Sequence, residues 1–210
     1  MKLNSVNKKT IKKAQAFTLI EMIGVLAVIA ILAAMLIPRV FEAINNARIN
    51  NAAVTSETLK AATADHYGKY GKFDQQFGTN AAALTFTAGI AQHYDTAILI
   101  PEGLLDKPFS VKIGGGDPST NCILQLCQTG TDNKGNGYKL DGTTPATTSA
   151  QFVLEEVIYG VSAADAKDLN DRIDGASLGA ALNAADTAGR VEYALPVNGT
   201  TTVYVYLTHR

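Results

Sequence analysis

Residues 17–38 read FTLIEMIGVLAVIAILAAMLIP, and from Phe17 to Ile37 there are 21 residues with one ionisable side chain, Glu21. As a helix rising ~1.5 Å per residue the run is about 31 Å long, enough to cross the hydrocarbon core of a bilayer. One carboxyl in such a span costs about 2.5–3.5 kcal/mol on insertion scales, so Glu21 calls for a reason. Gly24, Ala27, Ala30 and Ala33 recur every third position with Ala34 beside them. Such a stripe lets helices approach closely where apolar surface alone supplies no drive. Pro38 lacks a backbone donor, leaves the carbonyl of Ala34 without its usual partner and crowds the preceding turn, which predicts a kinked or loosened helix.

The flanks of the run set its topology. Residues 1–16 (MKLNSVNKKTIKKAQA) hold five of the 18 basic residues and no acid, so the remainder has 13 basic against 19 acidic residues, a formal charge of −6. A basic flank before the first apolar span keeps that end in the cytoplasm and places the body of the chain outside. An acidic body offers no clustered cations to a phosphate backbone, so no nucleic-acid partner is expected. A secretory signal peptide would have a shorter apolar core and a small-x-small cleavage site, whereas Pro38-Arg39-Val40-Phe41 follows here. A plain signal anchor fits the length and leaves Glu21 unexplained.

A lysine-rich leader ending in Ala16, a phenylalanine opening the apolar run, a glutamate fifth from it and a proline 22nd from it form one constellation. The stretch Ala16-Phe17-Thr18-Leu19-Ile20-Glu21 resembles the cleavage site of type IV pilins and type II secretion pseudopilins, with Ala16 where that family usually has glycine. The resemblance implies an α+β, pilin-like fold: a long N-terminal helix packed on a C-terminal antiparallel sheet. It divides the chain into a cleaved leader (1–16), a transmembrane and assembly helix (17–38), an amphipathic half of that helix (39–70) and a globular head (71–210).

It further implies that prepilin peptidase cuts between Ala16 and Phe17 and that the new amine of Phe17 is methylated. Removing five lysines frees the helix to leave the membrane. In the filament, the resemblance has Glu21 pairing with the amine of a neighbouring subunit, since buried charges are tolerable only when paired. Gly24 lies in the packing stripe and Pro38 at the loosening point. The implied partners are the peptidase, further pilin or pseudopilin subunits and an inner-membrane assembly platform, with the subunit anchored by one span before assembly. The other reading is a membrane-anchored extracytoplasmic binding domain that does not polymerise.

Beyond Pro38, Val40, Phe41, Ile44, Ala47, Val54, Leu59 and Ala62 lie loosely on one side of a helix expected to reach about His66, with the pentads INNAR and INNAA at 44–53 inside it. A glycine in Tyr67-Gly68-Lys69-Tyr70-Gly71-Lys72-Phe73 ends it, and the aromatic residues staple it to the head. A short helix is expected at 80–84. Phe109–Ile113 and Cys122–Gln128 read as strands around the glycine turn 114–116, and Phe152–Tyr159 as another. Ser162 and Asp165 start a short helix through Ile173 that Gly175 closes, its aspartates 165, 168, 171 and 174 on a solvated face. Asn198-Gly199 between 190–197 and 201–207 signals a hairpin, and Asn198-Gly199-Thr200 fits a weak glycosylation sequon.

Four residues separate Cys122 from Cys127 in a chain whose head is expected outside the cytoplasm, where either a short disulfide or two thiols is reasonable. The spacing lacks the second pair that a zinc site needs. Asp132, Asn133, Asn136 and Asp141 could offer oxygens to calcium, but the ladder of an EF-hand is missing. So is the Asp-Pro-Trp-Gly stretch found near the calcium site of the major pseudopilin. A solvated loop is therefore expected, with no metal or cofactor. His66, His93 and His209 stand in no nucleophile or metal pattern, which argues against an enzyme.

Overall fold

The computed structural model describes residues 17–73, 84–87, 89–117, 120–127, 137–146 and 151–210. The elements in chain order are α1 (Leu19–Tyr70), β1 (Ile90–Ala91), a π-helical turn (Asp95–Leu99), β2 (Cys122–Cys127), β3 (Val153–Ser162), α2 (Ala163–Ile173), β4 (Val191–Tyr193) and β5 (Thr200–His209). Two compact units divide between Ile44 and Asn45.

In the first unit the helix leaves every residue from Phe17 to Ile44 exposed. The helix is continuous through Pro38, so the loosening expected there is not a helix end.

In the second unit the rest of α1 buries Ile49, Ala52, Ser56, Leu59, Thr63 and His66. Their spacing of three or four residues draws one stripe down the helix. It differs from the expected face: Leu59 is on it, while Ala47 and Val54 are exposed. Three of its six members are polar, so hydrophobic periodicity alone pointed elsewhere. The helix extends past His66 to Tyr70, with Gly68 inside it, and ends where Gly71 takes φ 69° and donates its N–H to the Tyr67 carbonyl at 2.7 Å. Tyr67 then packs on Phe73 with ring centroids 5.1 Å apart, and the Tyr94 hydroxyl donates to the Phe73 carbonyl, so the aromatic residues do fasten this end.

The sheet is fully antiparallel with strand order β1-β2-β3-β5-β4. Leu124, Leu126, Leu154, Ile158, Val203, Val205 and Leu207 share one core with Ile49, Ala52 and Leu59 of α1 and with Ala166 and Leu169 of α2. Cys127, Val153, Tyr138 and Tyr206 pack together in a separate cluster. Alternate residues of each strand point to opposite faces, which assigns the two clusters to the two sides of the sheet.

Asn198 and Gly199 have φ values of 53° and 80°, and Val197 bridges Thr200, so the Asn-Gly hairpin forms with the left-handed pair that such a two-residue turn requires. Ser162 caps α2 by accepting the N–H of Asp165, and Gly175 follows the helix at φ 84°, as the sequence predicts. Phe109–Ile113 is not a strand: Phe109, Val111 and Ile113 alternate into the core, but the segment has no ladder partner among the described residues. The glycine triplet is more than a turn. A Cβ on Gly114 would stand 2.5 Å from the Tyr159 carbonyl, so glycine lets this loop press against β3. The helix expected at 80–84 lies outside the described residues except for Leu84, which is not helical.

Candidate functional site

Of the residues flanking the expected cleavage bond, Ala16 lies outside the described residues and Phe17 is 82% exposed just ahead of the helix. Thr18 and Glu21 form a reciprocal cap. The Thr18 N–H and hydroxyl donate to Glu21 Oε2 at 2.8 and 2.7 Å, and the Glu21 N–H donates to Thr18 Oγ1 at 3.3 Å. This is the capping-box spacing, Thr-x-x-Glu, and it closes donors that a helix start leaves open. Both residues lie within FTLIE, so the signal is local to that stretch. The cap fixes the Glu21 carboxylate one turn from Phe17, at the end of the helix where its dipole favours an anion.

Beyond the cap, Gly24 has nothing within 4 Å of where a Cβ would stand, so the small-residue stripe faces open space. Leu19, Ile20, Leu26, Ile29, Leu32 and Leu36 are each at least 55% exposed, an apolar surface left uncovered among the described residues. By length and composition this helix is apolar enough to cross a membrane.

The head carries buried polar groups that the sequence reading passed over in Phe152–Tyr159. Glu155 and Glu156 are adjacent in β3, both fully buried, and point to opposite faces. Glu155 accepts from Gln125 Nε2, the Tyr138 hydroxyl and Cys127 Sγ. Converging donors of this kind are what a carboxylate anion needs. Glu156 instead faces α1, where Ser56 Oγ lies 2.6 Å from its Oε2 and 3.1 Å from the Ala52 carbonyl. Burial pushes its carboxyl up to about 8, opposed by the Ser56 hydrogen bond and the charge of Arg190. Nearby, Glu57 of α1 pairs with Arg190 at 2.7 Å, and that bond lowers its pKa. His66 meets Glu102 at 2.6 Å in a buried pair that ties α1 to the loop after the π-helical turn.

The two cysteines do not form the disulfide held open above. They end one six-residue strand, about 16 Å apart at ~3.3 Å per residue, whereas a disulfide needs Cα atoms within about 7 Å. Their odd separation also turns them to opposite faces. Of the residues considered for calcium, Asp132, Asn133 and Asn136 lie outside the described residues. Asp141 accepts the N–H groups of Thr143 and Thr144, which lowers its carboxyl to about 2. Among the described residues no group of three or more His, Cys, Asp or Glu is arranged to hold a metal.

The aspartates of α2 are half-buried, and several are engaged. Asp165 accepts from Asn45 of α1, Asp171 pairs with Lys167, and Asp174 accepts the N–H groups of Arg190 and Val191. The solvated face expected there is in part a structural seam.

Residues 11–37 match the family model described as the prokaryotic N-terminal methylation motif. This is the signal motif of type IV pilins and pseudopilins, and it indicates a pilin-like substrate of prepilin peptidase. Together with the apolar helix it points to membrane anchoring, and it implies assembly with other pilin subunits. It belongs to structural proteins and not to a known enzyme family. Neither the curated proteins nor the solved structures contain a match to this chain.

Proposed function

From a chain carrying this motif, we propose a structural subunit of a type IV pilus-like filament, either a pilus or a type II secretion pseudopilus. Cleavage between Ala16 and Phe17 leaves N-methylated Phe17 at the start of the capped helix. Removal of the lysine leader turns a membrane anchor into an element that can move into a filament core. The observation that carries this reading is the pairing of the matched motif with a helix whose residues from Phe17 to Ile44 are all exposed. A surface so apolar is stable against lipid before assembly and against sister helices afterwards.

In this reading the Glu21 carboxylate, held by Thr18 at the helix start, is presented to the Phe17 amine of the next subunit. The pair sets register, because a displaced neighbour would leave both charges buried and unpaired. Gly24 opens the contact face, and Pro38, with one backbone bond missing, is where the helix stretches under load. Glu21→Ala tests the pairing. The variant is expected to insert in the membrane and be processed while its incorporation into filaments is lost; normal filaments would refute the role of Glu21.

A further inference from the structure

At the seam between α1 and the sheet, a buried serine and a buried glutamate share too few hydrogens for their contacts, independently of any filament role. Ser56 Oγ has one hydrogen, and two oxygens stand within bonding distance, the Ala52 carbonyl at 3.1 Å and Glu156 Oε2 at 2.6 Å. With Glu156 ionised, the hydroxyl donates to Glu156 Oε2 and leaves the Ala52 carbonyl; both contacts are hydrogen bonds at once when the carboxyl of Glu156 carries a proton and donates to Ser56 while Ser56 donates to Ala52. An ionised Glu156 would face a single donor in a fully buried position.

The same seam holds polar atoms without a hydrogen-bond partner among the described residues: Glu156 Oε1, Arg190 Nε and Arg190 Nη2. Arg190 uses Nη1 on Glu57 of α1. Val191 is registered against Val205, which is registered against Glu156, so Arg190 approaches from two strands away. The groups that bear on Glu156 are Ser56 and, through Arg190, Glu57 on α1; Arg190 ahead of β4, with Asp174 behind it; and Cys122 on β2, whose thiol feels the Glu156 charge.

We propose that Glu156 is a proton-operated latch: protonated, it bonds Ser56 and leaves Arg190 to Glu57, and on losing its proton it takes Arg190 from the helix, loosening residues 45–70 from the sheet. The reference carboxyl value is 4.5, and in the folded head it rises to about 8. A folded value above the unfolded one means that the proton's contribution is present in full at pH below the unfolded value. It is lost as pH rises toward the folded value, and the opening constant of the seam grows by up to about tenfold per pH unit in that window.

The test uses the full chain in detergent micelles and amide hydrogen exchange of residues 52–63, corrected for intrinsic rate, from pH 5 to 8. Glu156→Gln keeps a donor for Ser56 and cannot ionise. The opening constant is expected to rise severalfold per pH unit in the parent chain and to stay flat in Glu156→Gln. A rise in both, or in neither, would overturn the latch. Should Glu156→Gln not fold, infrared spectra of the parent chain decide: a protonated-carboxyl band that vanishes on raising the pH and shifts in Ser56→Ala is expected, and its absence refutes the proposal. Arg190→Gln should move that transition to higher pH; an unmoved transition would also overturn the exchange.

Discussion

Ser56 of α1 and Glu156 of β3 meet at 2.6 Å with both side chains fully buried, the contact that fastens the helix to the centre of the sheet through polar atoms. Removing the hydroxyl strands a buried carboxyl, which costs about 1–3 kcal/mol. Ser56→Ala is therefore expected to lower stability of the head by that amount in urea unfolding followed by circular dichroism. Thr58→Ala on the exposed side of the same helix is expected to stay within about 0.5 kcal/mol.

The thiols give a second prediction. Burial pushes Cys122 up to about 11, so at pH 8 roughly one thiol in a thousand is ionised. Neither cysteine is expected to react with iodoacetamide in the native chain. Two thiols per chain are expected to titrate in denaturant without reductant; fewer would show the disulfide that the strand geometry forbids.

A third concerns the clasp between α1 and α2. Arg172 Nη2 donates to Asn46 Oδ1 at 2.8 Å, and Nη1 donates to Asn50. Arg172→Ala is expected to cost about 1 kcal/mol, an exposed pair of hydrogen bonds being worth no more. A double-mutant cycle with Asn46→Ala should give a coupling of about 0.5 kcal/mol or more, and additivity would mean that the clasp is idle.

That clasp shows how far the sequence could be read. INNAR and INNAA form a pentad pair rich in asparagine, a poor helix former. The asparagines at 45, 46 and 50 face α2, and a partner more than a hundred residues away leaves no local trace. The same holds for the buried stripe of α1, half polar because Ser56 and His66 answer to Glu156 and Glu102. Signals carried by near neighbours were legible: the Asn-Gly hairpin, the Ser162 cap, the glycine end of α1 and the apolar run. The cap between Thr18 and Glu21 was equally local. The consecutive glutamates in FVLEEVIY were visible too, but only the registers with β2 and β5 bury both. Phe109–Ile113 had the alternation of a strand and lacked what sequence cannot supply, an edge to pair with.

In the proposed maturation the chain is cut at one bond and its new terminus is modified. Intact-mass and peptide mass spectrometry of the membrane form, from cells with an active prepilin peptidase, tests it most directly. A chain beginning at Phe17 with one methyl group on its amine is the expected result. A chain that still begins at Met1, or is cut at another bond, would contradict it.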